Sequence, residues 1–379
     1  MISPLCLTAY GHVATENIEL IEKIGFPQYV HWFPDSYTRV RTGLHYPPQR
    51  ILQRVLTEEL LSTLRSATAQ EGRTALILSG GNQNFVGLIS PSVMPDGVLD
   101  YSYKLRALAL TNVFAARVAQ TLGGVDYIST DATACISGTK AVMEAFALTT
   151  LTGYDRVIVL AVEDQINTAM LDFFGETRAV LTREEMETEG ICPSAFDPIN
   201  RGFFIGQGAA VALLETEQSA QKGGREPTAF VLGASVVAER HENAIGQRED
   251  GAGYIGAVEL AAKNAGVQLS SIDLVKTHGT GTRSNNQAEA TAISAVFNAD
   301  FIATGYKSLI GHTMGPSSLI ESFMLLEDAK SGIVRGIRNR TGGDPRYLSS
   351  DTSLSVRRFL TLSSGMGNGY GAMIFDIAN

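Results

Sequence analysis

The chain is poor in cysteine, tryptophan and long apolar runs. It has three cysteines (Cys6, Cys135 and Cys192) and one tryptophan in 379 residues. Three scattered cysteines are too few for a disulfide framework or a CxxC metal site, which indicates a reducing compartment. The N-terminal residues lack the basic start of a secretory signal, and no apolar run approaches the roughly 20 residues that cross a bilayer. We therefore expect a cytoplasmic protein that does not act at a membrane.

Positive charge is also in short supply. The chain has 30 Lys and Arg residues against 39 Asp and Glu, a formal net charge of −9. A nucleic-acid-binding protein normally carries a basic face, so we expect no nucleic-acid partner. A local basic patch for an acidic partner stays compatible with this balance. The hydrophobic content of 44% and the 38 glycines are typical of a globular protein with many tight turns.

Two series of predicted strands and helices follow each other along the chain, separated by a polar stretch at 217–227. The spacing of apolar residues predicts strands at 73–79, 127–130, 156–162, 209–214, 229–237, 271–277, 302–305, 359–362 and 372–377. It predicts helices at 17–24, 52–66, 103–122, 139–148, 254–264, 287–297 and 317–329. We therefore expect an α/β protein with an N-terminal half, 1–216, and a C-terminal half, 228–379, joined by the linker 217–227.

Cys135 lies at a predicted strand-to-helix junction, in the stretch Asp131-Ala-Thr-Ala-Cys-Ile-Ser-Gly138. Unpaired N–H groups and positive potential at a helix N-terminus favour a thiolate, which is the nucleophilic form. The alternative is a buried, inert cysteine, which is common in proteins. Position alone does not decide between them.

Two histidines occupy glycine-rich turns in the second half. They lie in Thr277-His278-Gly-Thr-Gly-Thr282 and in Lys307-Ser-Leu-Ile-Gly-His312. Each could be a structural histidine when considered alone. Together with Cys135, however, they follow predicted strands, and ligands of open α/β sheets bind at the strand C-termini.

These motifs resemble those of the β-ketoacyl synthases, the condensing enzymes of the thiolase-like fold. The similarity runs from about residue 70 onward. It rests on the cysteine turn, the two histidine turns with Glu289 after the first, the glycine-rich stretch 202–209, and Gly365-Met-Gly-Asn-Gly369. The resemblance implies two duplicated βαβ-rich halves in an α/β/α/β/α layered architecture.

The resemblance also implies an activity. Cys135 would accept an acyl group from a carrier thioester, and a malonyl-type extender would then lose CO2 and attack it. His278 and His312 would stabilise the enolate, while Lys307 and Glu289 would fix the orientation and protonation of the histidines. A structural ion pair between Lys307 and Glu289 is the alternative for these two residues.

The same family pattern assigns the substrate-contacting residues and the partners. The backbone N–H groups of Cys135 and Met366 would form an oxyanion hole. The residues implied in substrate binding are Gly365, Met366, Gly367, Thr280 and Thr282. The substrates would be carried on the phosphopantetheine of an acyl carrier protein, with no cofactor and no metal. The chain would form a homodimer, or a heterodimer with a ketosynthase-like subunit.

Several positions depart from the family pattern. Asn286 replaces the usual aspartate, Gln207 a glutamate, Met366 the gating phenylalanine and Tyr370 an asparagine. Methionine is flexible and could widen an acyl gate. These departures favour a specialised polyketide-type pathway over housekeeping fatty-acid synthesis.

Other activities fit the sequence less well. A metal site is disfavoured because the candidate ligands Cys135, His278 and His312 are far apart in sequence. A serine hydrolase is disfavoured because no GxSxG motif is present. A dinucleotide site is disfavoured because the C-terminal glycine run precedes a strand, whereas such a site needs a helix there. Two alternatives share the fold. One is acyl transfer without decarboxylation, which two histidines and Lys307 disfavour. The other is a chain-length-factor-like partner subunit, which Cys135 disfavours.

Overall fold

The computed structural model describes residues 3–14, 17–21, 28–32, 52, 54–80, 92–93, 99–100, 110–164, 168–177, 179–243, 245–298 and 301–378. In these ranges, no helix combines the length and the apolar character needed to span a membrane. The strands are β1 (Leu5–Ala14), β2 (Asn17–Ile21), β3 (Gln28–Trp32), β4 (Thr74–Ser79), β5 (Ser92–Val93), β6 (Leu99–Asp100), β7 (Tyr127–Asp131), β8 (Arg156–Glu163), β9 (Gly208–Glu215), β10 (Ala229–Ala238), β11 (Leu274–Lys276), β12 (Ala303–Thr304), β13 (Ile333–Val334), β14 (Thr352–Ser353), β15 (Arg358–Gly365) and β16 (Gly369–Ile377).

The α-helices are numbered separately in chain order. They are α1 (Glu58–Ala69), α2 (Thr111–Leu122), α3 (Ser137–Thr152), α4 (Thr168–Thr177), α5 (Arg183–Glu187), α6 (Glu217–Lys222), α7 (Ala252–Ala265), α8 (Arg283–Phe297), α9 (Lys307–Ile310) and α10 (Ser317–Ser331). Short 3-10 helices lie at Ala134–Ile136 and Leu269–Ser271.

Ten strands form one mixed sheet in the order β12-β11-β15-β16-β10-β1-β9-β8-β4-β7. Its two halves have the same connections. In the first half, β1 pairs antiparallel with β9, β9 pairs antiparallel with β8, β8 pairs in parallel with β4, and β4 pairs in parallel with β7. In the second half, β10, β16, β15, β11 and β12 pair in the same order and with the same directions. The predicted duplicated α/β architecture is therefore confirmed.

The two halves of the sheet meet where β1 pairs with β10. The pairing is short, running from Leu5 opposite Val231 to Leu7 opposite Ala229. The predicted linker 217–227 contains the helix α6, which buries Ser219 and Ala220. The connection between the halves is thus partly helical and packed, and the domain boundaries remain a prediction.

Helices lie on both faces of the sheet halves and between them. The helix Ser137–Thr152 packs on β8 and on β10, and the helix Ser317–Ser331 packs on β1 and on β15, so both lie between the halves. The first half is covered outside by α1 and α2, and the second by α7, against which α8 packs. The predicted α/β/α/β/α layering is confirmed. The inner strand β8 is buried along its whole length, as its apolar sequence predicts.

One predicted element is wrong, and others were missed. The helix predicted at 17–24 is the strand β2, paired with β3. Its apolar residues Ile18, Leu20 and Ile21 are too few to distinguish the two periodicities. The helices α4 and α5 were not predicted. The helix predicted at 103–122 begins at Thr111, and its residues 103–109 lie outside the described ranges.

Candidate active site

Cys135 lies in the short 3-10 turn between β7 and α3, as the sequence predicts. The residue before it, Ala134, has a φ of 50°, a left-handed conformation that is unfavourable for a residue with a side chain. The Ser137 side chain holds this turn, because its Oγ accepts the Thr133 N–H at 2.9 Å and donates to the Ala134 carbonyl at 2.6 Å. The sharp turn fixes the position of the thiol.

The thiol of Cys135 is buried in an apolar cluster with Phe174, Val180, Phe203 and Met314. Only 6% of the residue is exposed, and the thiol contacts Met314 Sδ at 3.5 Å. Burial raises the pKa of Cys135 to about 12, although Lys307 acts in the opposite direction. In the free protein burial thus favours the neutral thiol, which opposes the effect expected from the helix N-terminus. Desolvation outweighs the favourable potential.

The two predicted histidines lie beside each other. His278 follows β11 and His312 follows α9, and their ring centroids are 5.4 Å apart. Both are buried. Burial is the main cause that lowers the pKa of each imidazole well below its usual value, and the positive charges of Lys307 and Lys276 add to it. Both rings are therefore neutral at pH 7.

The tautomer of His312 is defined by its own turn. The backbone N–H of Met314 donates to Nδ1 of His312 at 3.2 Å. An imidazole nitrogen that accepts a hydrogen bond carries no proton, so the ring proton of neutral His312 is on Nε2. His312 can thus donate a hydrogen bond without being charged.

Glu289 supports the backbone of the first histidine turn. Its carboxylate accepts the N–H groups of His278 and Gly279, the latter at 2.9 Å, and the side chain of Asn285 at 3.0 Å. Glu289 therefore fixes the turn through its main chain, and no hydrogen bond to the imidazole is present.

Lys307 pairs with a residue that sequence reasoning missed. Its Nζ lies 2.6 Å from Oε1 of Glu321, whose other oxygen lies 3.0 Å from Nζ of Lys276. All three side chains are buried. The alternative of a structural ion pair between Lys307 and Glu289 is wrong. The sequence did carry a signal for these contacts, because Glu321 and Lys276 are charged residues within a largely apolar helix, α10, and a buried strand, β11, and a buried charge needs a partner.

Seven of the predicted site residues line one cavity of about 730 Å³. They are Cys135, His278, His312, Thr280, Thr282, Gly365 and Met366. Lys307 and Glu289 are buried outside its lining, and Gly367 does not line it. The part of the lining that packs with Cys135 is apolar, with Phe174, Phe203 and Met314, whereas other lining residues, among them Thr280 and Thr282, carry hydroxyl or amide groups.

Gly365 ends β15 against the cysteine turn. A Cβ added there would lie 3.2 Å from the backbone nitrogen of Cys135 and 3.3 Å from Cβ of Ala134. A side chain at this position would crowd the N–H of Cys135. The neighbouring Met366 is 40% exposed at the turn between β15 and β16.

The departures from the family pattern have separate environments. Gln207 is fully buried, and Asn286 lines a second cavity next to the first. Tyr370 is buried, and its hydroxyl donates to a Glu239 oxygen at 2.9 Å. In the described part of the chain, no group of three or more His, Cys, Asp or Glu side chains could hold a metal ion.

Two family models match the chain. The model described as "Beta-ketoacyl synthase, N-terminal domain" matches residues 47–220, and "Beta-ketoacyl synthase, C-terminal domain" matches residues 228–339. Together they cover most of the sequence.

A curated relative and two solved structures show the same similarity. The 3-oxoacyl-(acyl-carrier-protein) synthase 2 of Mycobacterium tuberculosis is 30% identical over 220 residues, which are 58% of this chain and 52% of that protein. The match thus spans about half the length of the relative. A chain from the AntDE:AntF structure of a type II PKS acyl-carrier protein with its ketosynthase superposes with a TM-score of 0.83 at 19% identity. The ishigamide ketosynthase/chain length factor gives 0.78 at 21% identity, and both structures match 100% of both chains. These likenesses show the fold.

Proposed function

Because the chain belongs to the β-ketoacyl synthase family, we propose that it is a decarboxylative condensing enzyme acting on thioesters of an acyl carrier protein. The observation that carries this proposal is the convergence of Cys135, His278 and His312 on one cavity. They come from three turns far apart in sequence, and a nucleophile next to two neutral donors is suited to acyl transfer followed by enolate formation.

In the first step the Cys135 sulfur attacks the thioester carbonyl of an acyl carrier. The carrier thiolate leaves and takes up the proton of the Cys135 thiol, so that one thioester replaces another. The buried thiol has a pKa of about 12. Proton loss must therefore be coupled to the bound substrate, and a neutral imidazole that lines the same cavity is a suitable acceptor.

The negative charge on the oxygen of the tetrahedral intermediate needs a hydrogen-bond donor. The N–H of Cys135 is such a donor, and by family resemblance the N–H of Met366 is a second one. The close approach of Gly365 to the nitrogen of Cys135 supports this assignment, because it leaves the N–H free of a neighbouring side chain.

In the second step a malonyl thioester loses CO2. The electrons of the broken C–C bond pass to the thioester oxygen as an enolate. The enolate carbon then attacks the acyl group on Cys135, the C–S bond breaks, and the released Cys135 thiolate takes up a proton from solvent. His312, with its ring proton on Nε2, would donate to the enolate oxygen, and His278, whose ring centroid lies 5.4 Å from that of His312, would act as the second donor. Loss of CO2 generates the nucleophile, so the proposed reaction needs no metal or other cofactor.

The charges behind the histidines support this role. Lys307 and Lys276 share the single carboxylate of Glu321, so the buried trio carries a net positive charge. This charge disfavours imidazolium and favours an enolate nearby. We propose that Lys307 acts through this electrostatic effect and Glu289 through the backbone of His278.

The partners follow from the same proposal. The polar part of the lining with Thr280 and Thr282 would accommodate the phosphopantetheine arm of the carrier.

The strand β7 forms an edge of the sheet, and Tyr127 and Ile128 on it are 39% and 38% exposed. We propose that this edge forms a homodimer or heterodimer interface. Light scattering should give a dimer mass that Ile128→Lys reduces, whereas a monomeric wild-type chain would contradict the homodimer.

The compartment is proposed from the cysteines. Cys6, Cys135 and Cys192 are all free thiols. They support function in a reducing environment such as the cytoplasm. Fluorescence microscopy of the tagged chain in its native cells would test this, and an extracellular signal would contradict it.

The reaction is tested by mixing the protein with an acyl carrier thioester and a malonyl carrier thioester. We expect CO2 release and a β-ketoacyl carrier product, detected by mass spectrometry. His278→Ala and His312→Ala should each slow CO2 release by about 100- to 1000-fold, the range typical of a lost oxyanion donor. Acyl transfer without CO2 release would favour the acyltransferase alternative, and neither product would favour a partner subunit.

A further inference from the structure

Met314 lies directly against the thiol of Cys135. Its Sδ is 3.5 Å from Sγ, which is van der Waals contact, and both residues line the same cavity. Cys135 is 6% exposed and Met314 is 3% exposed. The methionine side chain therefore covers one side of the sulfur and leaves little of Cys135 open to the cavity.

The backbone of Met314 is held in place from both sides. Its N–H donates to Nδ1 of His312 at 3.2 Å, and its carbonyl accepts the N–H of Ser317, the first residue of α10, at 3.0 Å. Its φ is 53°, a left-handed conformation that is unfavourable for a residue with a side chain and that the turn imposes. We therefore expect movement of Met314 to be confined to its side-chain torsions.

The other buried side chains that the structure describes in this apolar cluster are stiffer than a methionine. Phe174 packs edge-on against Phe203 with ring centroids 6.3 Å apart, and Phe203 packs edge-on against His312 at 5.1 Å. Val180 and Ile205 are branched at Cβ, which restricts their χ1 angles. Methionine is unbranched, has three rotatable side-chain bonds and adapts to irregular spaces. It is therefore the member of the cluster that moves most easily when the sulfur gains an acyl group.

We propose that Met314 is a movable cover of Cys135 and determines which acyl groups fit next to the sulfur. This inference rests on the proposed function. In the loading step the bond from Sγ to the acyl carbon forms, the bond from that carbon to the carrier sulfur breaks, and the thiol proton passes to the leaving carrier thiolate. The Met314 side chain leaves its contact with Sγ to make room for the acyl carbons nearest the sulfur.

The width of the acyl group next to its carbonyl then decides how well it fits. A displaced Met314 side chain still occupies part of the apolar cluster, so a branch at the carbon after the carbonyl meets it and an unbranched chain avoids it. The substrate class is therefore straight-chain aliphatic acyl thioesters, in preference to isomers branched at that carbon.

The first measurement compares loading of Cys135 from the butyryl and the isobutyryl thioester of the acyl carrier protein, which are isomers. Initial rates are read by intact-protein mass spectrometry. The intrinsic reactivity of each thioester is the same for every variant, so a change in the butyryl-to-isobutyryl rate ratio reports the protein alone.

Met314→Ala removes the cover, and the rate ratio should fall about tenfold from the wild-type value, the scale of one methyl group in an apolar pocket. Met314→Gly should give the same fall and protects the test against misfolding, because glycine adopts a φ of 53° without strain. Met324→Ala is the matched control. Met324 is 4% exposed, lies within α10 and does not line the cavity, so this variant should keep the wild-type ratio.

The second measurement needs no thioester. Alkylation of Cys135 by iodoacetamide at neutral pH should be about tenfold faster in Met314→Ala and Met314→Gly than in the wild type, because burial raises the pKa of the thiol and solvent that replaces the cover lowers it. Met324→Ala should keep the wild-type rate. Cys6 is also buried and reports general unfolding, which would accelerate alkylation of both cysteines.

An unchanged rate ratio or an unchanged alkylation rate in Met314→Gly, with loading retained, would overturn this inference and leave the proposed function standing. An equal fall of the ratio in Met324→Ala would overturn it as well. No acyl group on wild-type Cys135 from either thioester would overturn the proposed function and the specificity role together. The failures are therefore distinguishable.

Discussion

At Cys135 two effects of opposite sign act on the thiol. Burial raises the pKa and the positive charge of Lys307 lowers it, and the net result is a pKa of about 12. Because a raised pKa leaves less thiolate at every lower pH, the free protein should react slowly with electrophiles at neutral pH. The acyl substrate must then supply part of the activation.

This gives a prediction for alkylation by iodoacetamide. The rate at Cys135 should rise about tenfold per pH unit from pH 7 to 10 without a plateau, because the thiolate fraction rises by that factor below the pKa. Lys307→Met should slow alkylation at each pH, since it removes a charge that lowers the pKa. The mass of the Cys135 peptide separates this signal from Cys6 and Cys192. A plateau below pH 9 would contradict the buried thiol.

The sequence motifs located Cys135, His278 and His312, because each is framed by glycine and strand signals in its own segment. They could not locate Glu321 or Lys276 as partners of Lys307, since those contacts join three segments. The thiol pKa was also beyond local reasoning. Burial by Phe174, Phe203 and Met314 depends on tertiary packing.

Among the elements, the strand β16 holds residues 239–251, the segment between β10 and α7 that borders the cavity. Tyr370 on β16 donates to Glu239, and its ring packs edge-on against Tyr254 with centroids 4.8 Å apart. A family asparagine is too short to fill the same space. The replacement noted in the sequence therefore has a structural consequence, which is the anchoring of residues 239–251.

We predict that Tyr370→Phe loosens this segment while the fold is retained. A hydrogen bond to a charged group contributes about 1.5–3 kcal/mol, so amide exchange at 245–253 should accelerate by at least about tenfold. Hydrogen–deuterium exchange with mass spectrometry measures this. The matched control is Tyr347→Phe, because the buried Tyr347 hydroxyl has no hydrogen-bond partner in the described ranges. Equal exchange in both variants would refute the anchoring role.

Most long elements were predictable because their apolar periodicity is strong, as in β8 and in the helix Ala252–Ala265. The strand β2 was not, because its few apolar residues suit a helix equally well. Pairing with Gln28–Trp32 decided its structure. Non-local pairing of this kind is absent from any short sequence window.

For the molecule as a whole, the layer between the two sheet halves links stability to the site. The helix α3 begins two residues after Cys135 and packs against α10 from the other half. Gly138 makes this contact close, since a Cβ there would lie 2.6 Å from Ser318 Oγ and 3.0 Å from Leu319 Cγ. The duplication was predictable from the repeated strand order, whereas the short β1–β10 junction that joins the halves was not.

We therefore predict that Gly138→Ala destabilises the protein by about 1–3 kcal/mol, the usual cost of overpacking, and impairs loading of Cys135. Urea unfolding measures the stability. Gly256→Ala is the control, because Gly256 lies within the helix Ala252–Ala265 and its Cβ would meet only Val237 Cγ2 at 3.9 Å. There alanine should be neutral or stabilising by up to about 1 kcal/mol. Equal effects of the two substitutions would contradict tight packing of the middle layer.

The central claim is that Cys135 is the residue that carries the acyl group. Incubation with an acyl carrier thioester, followed by intact and peptide mass spectrometry, tests it most directly. The account predicts one acyl mass on the wild-type chain, located on the Cys135 peptide, and none on Cys135→Ala. Acylation of the Cys135→Ala variant to the wild-type extent, or a wild-type adduct at another residue, would contradict it.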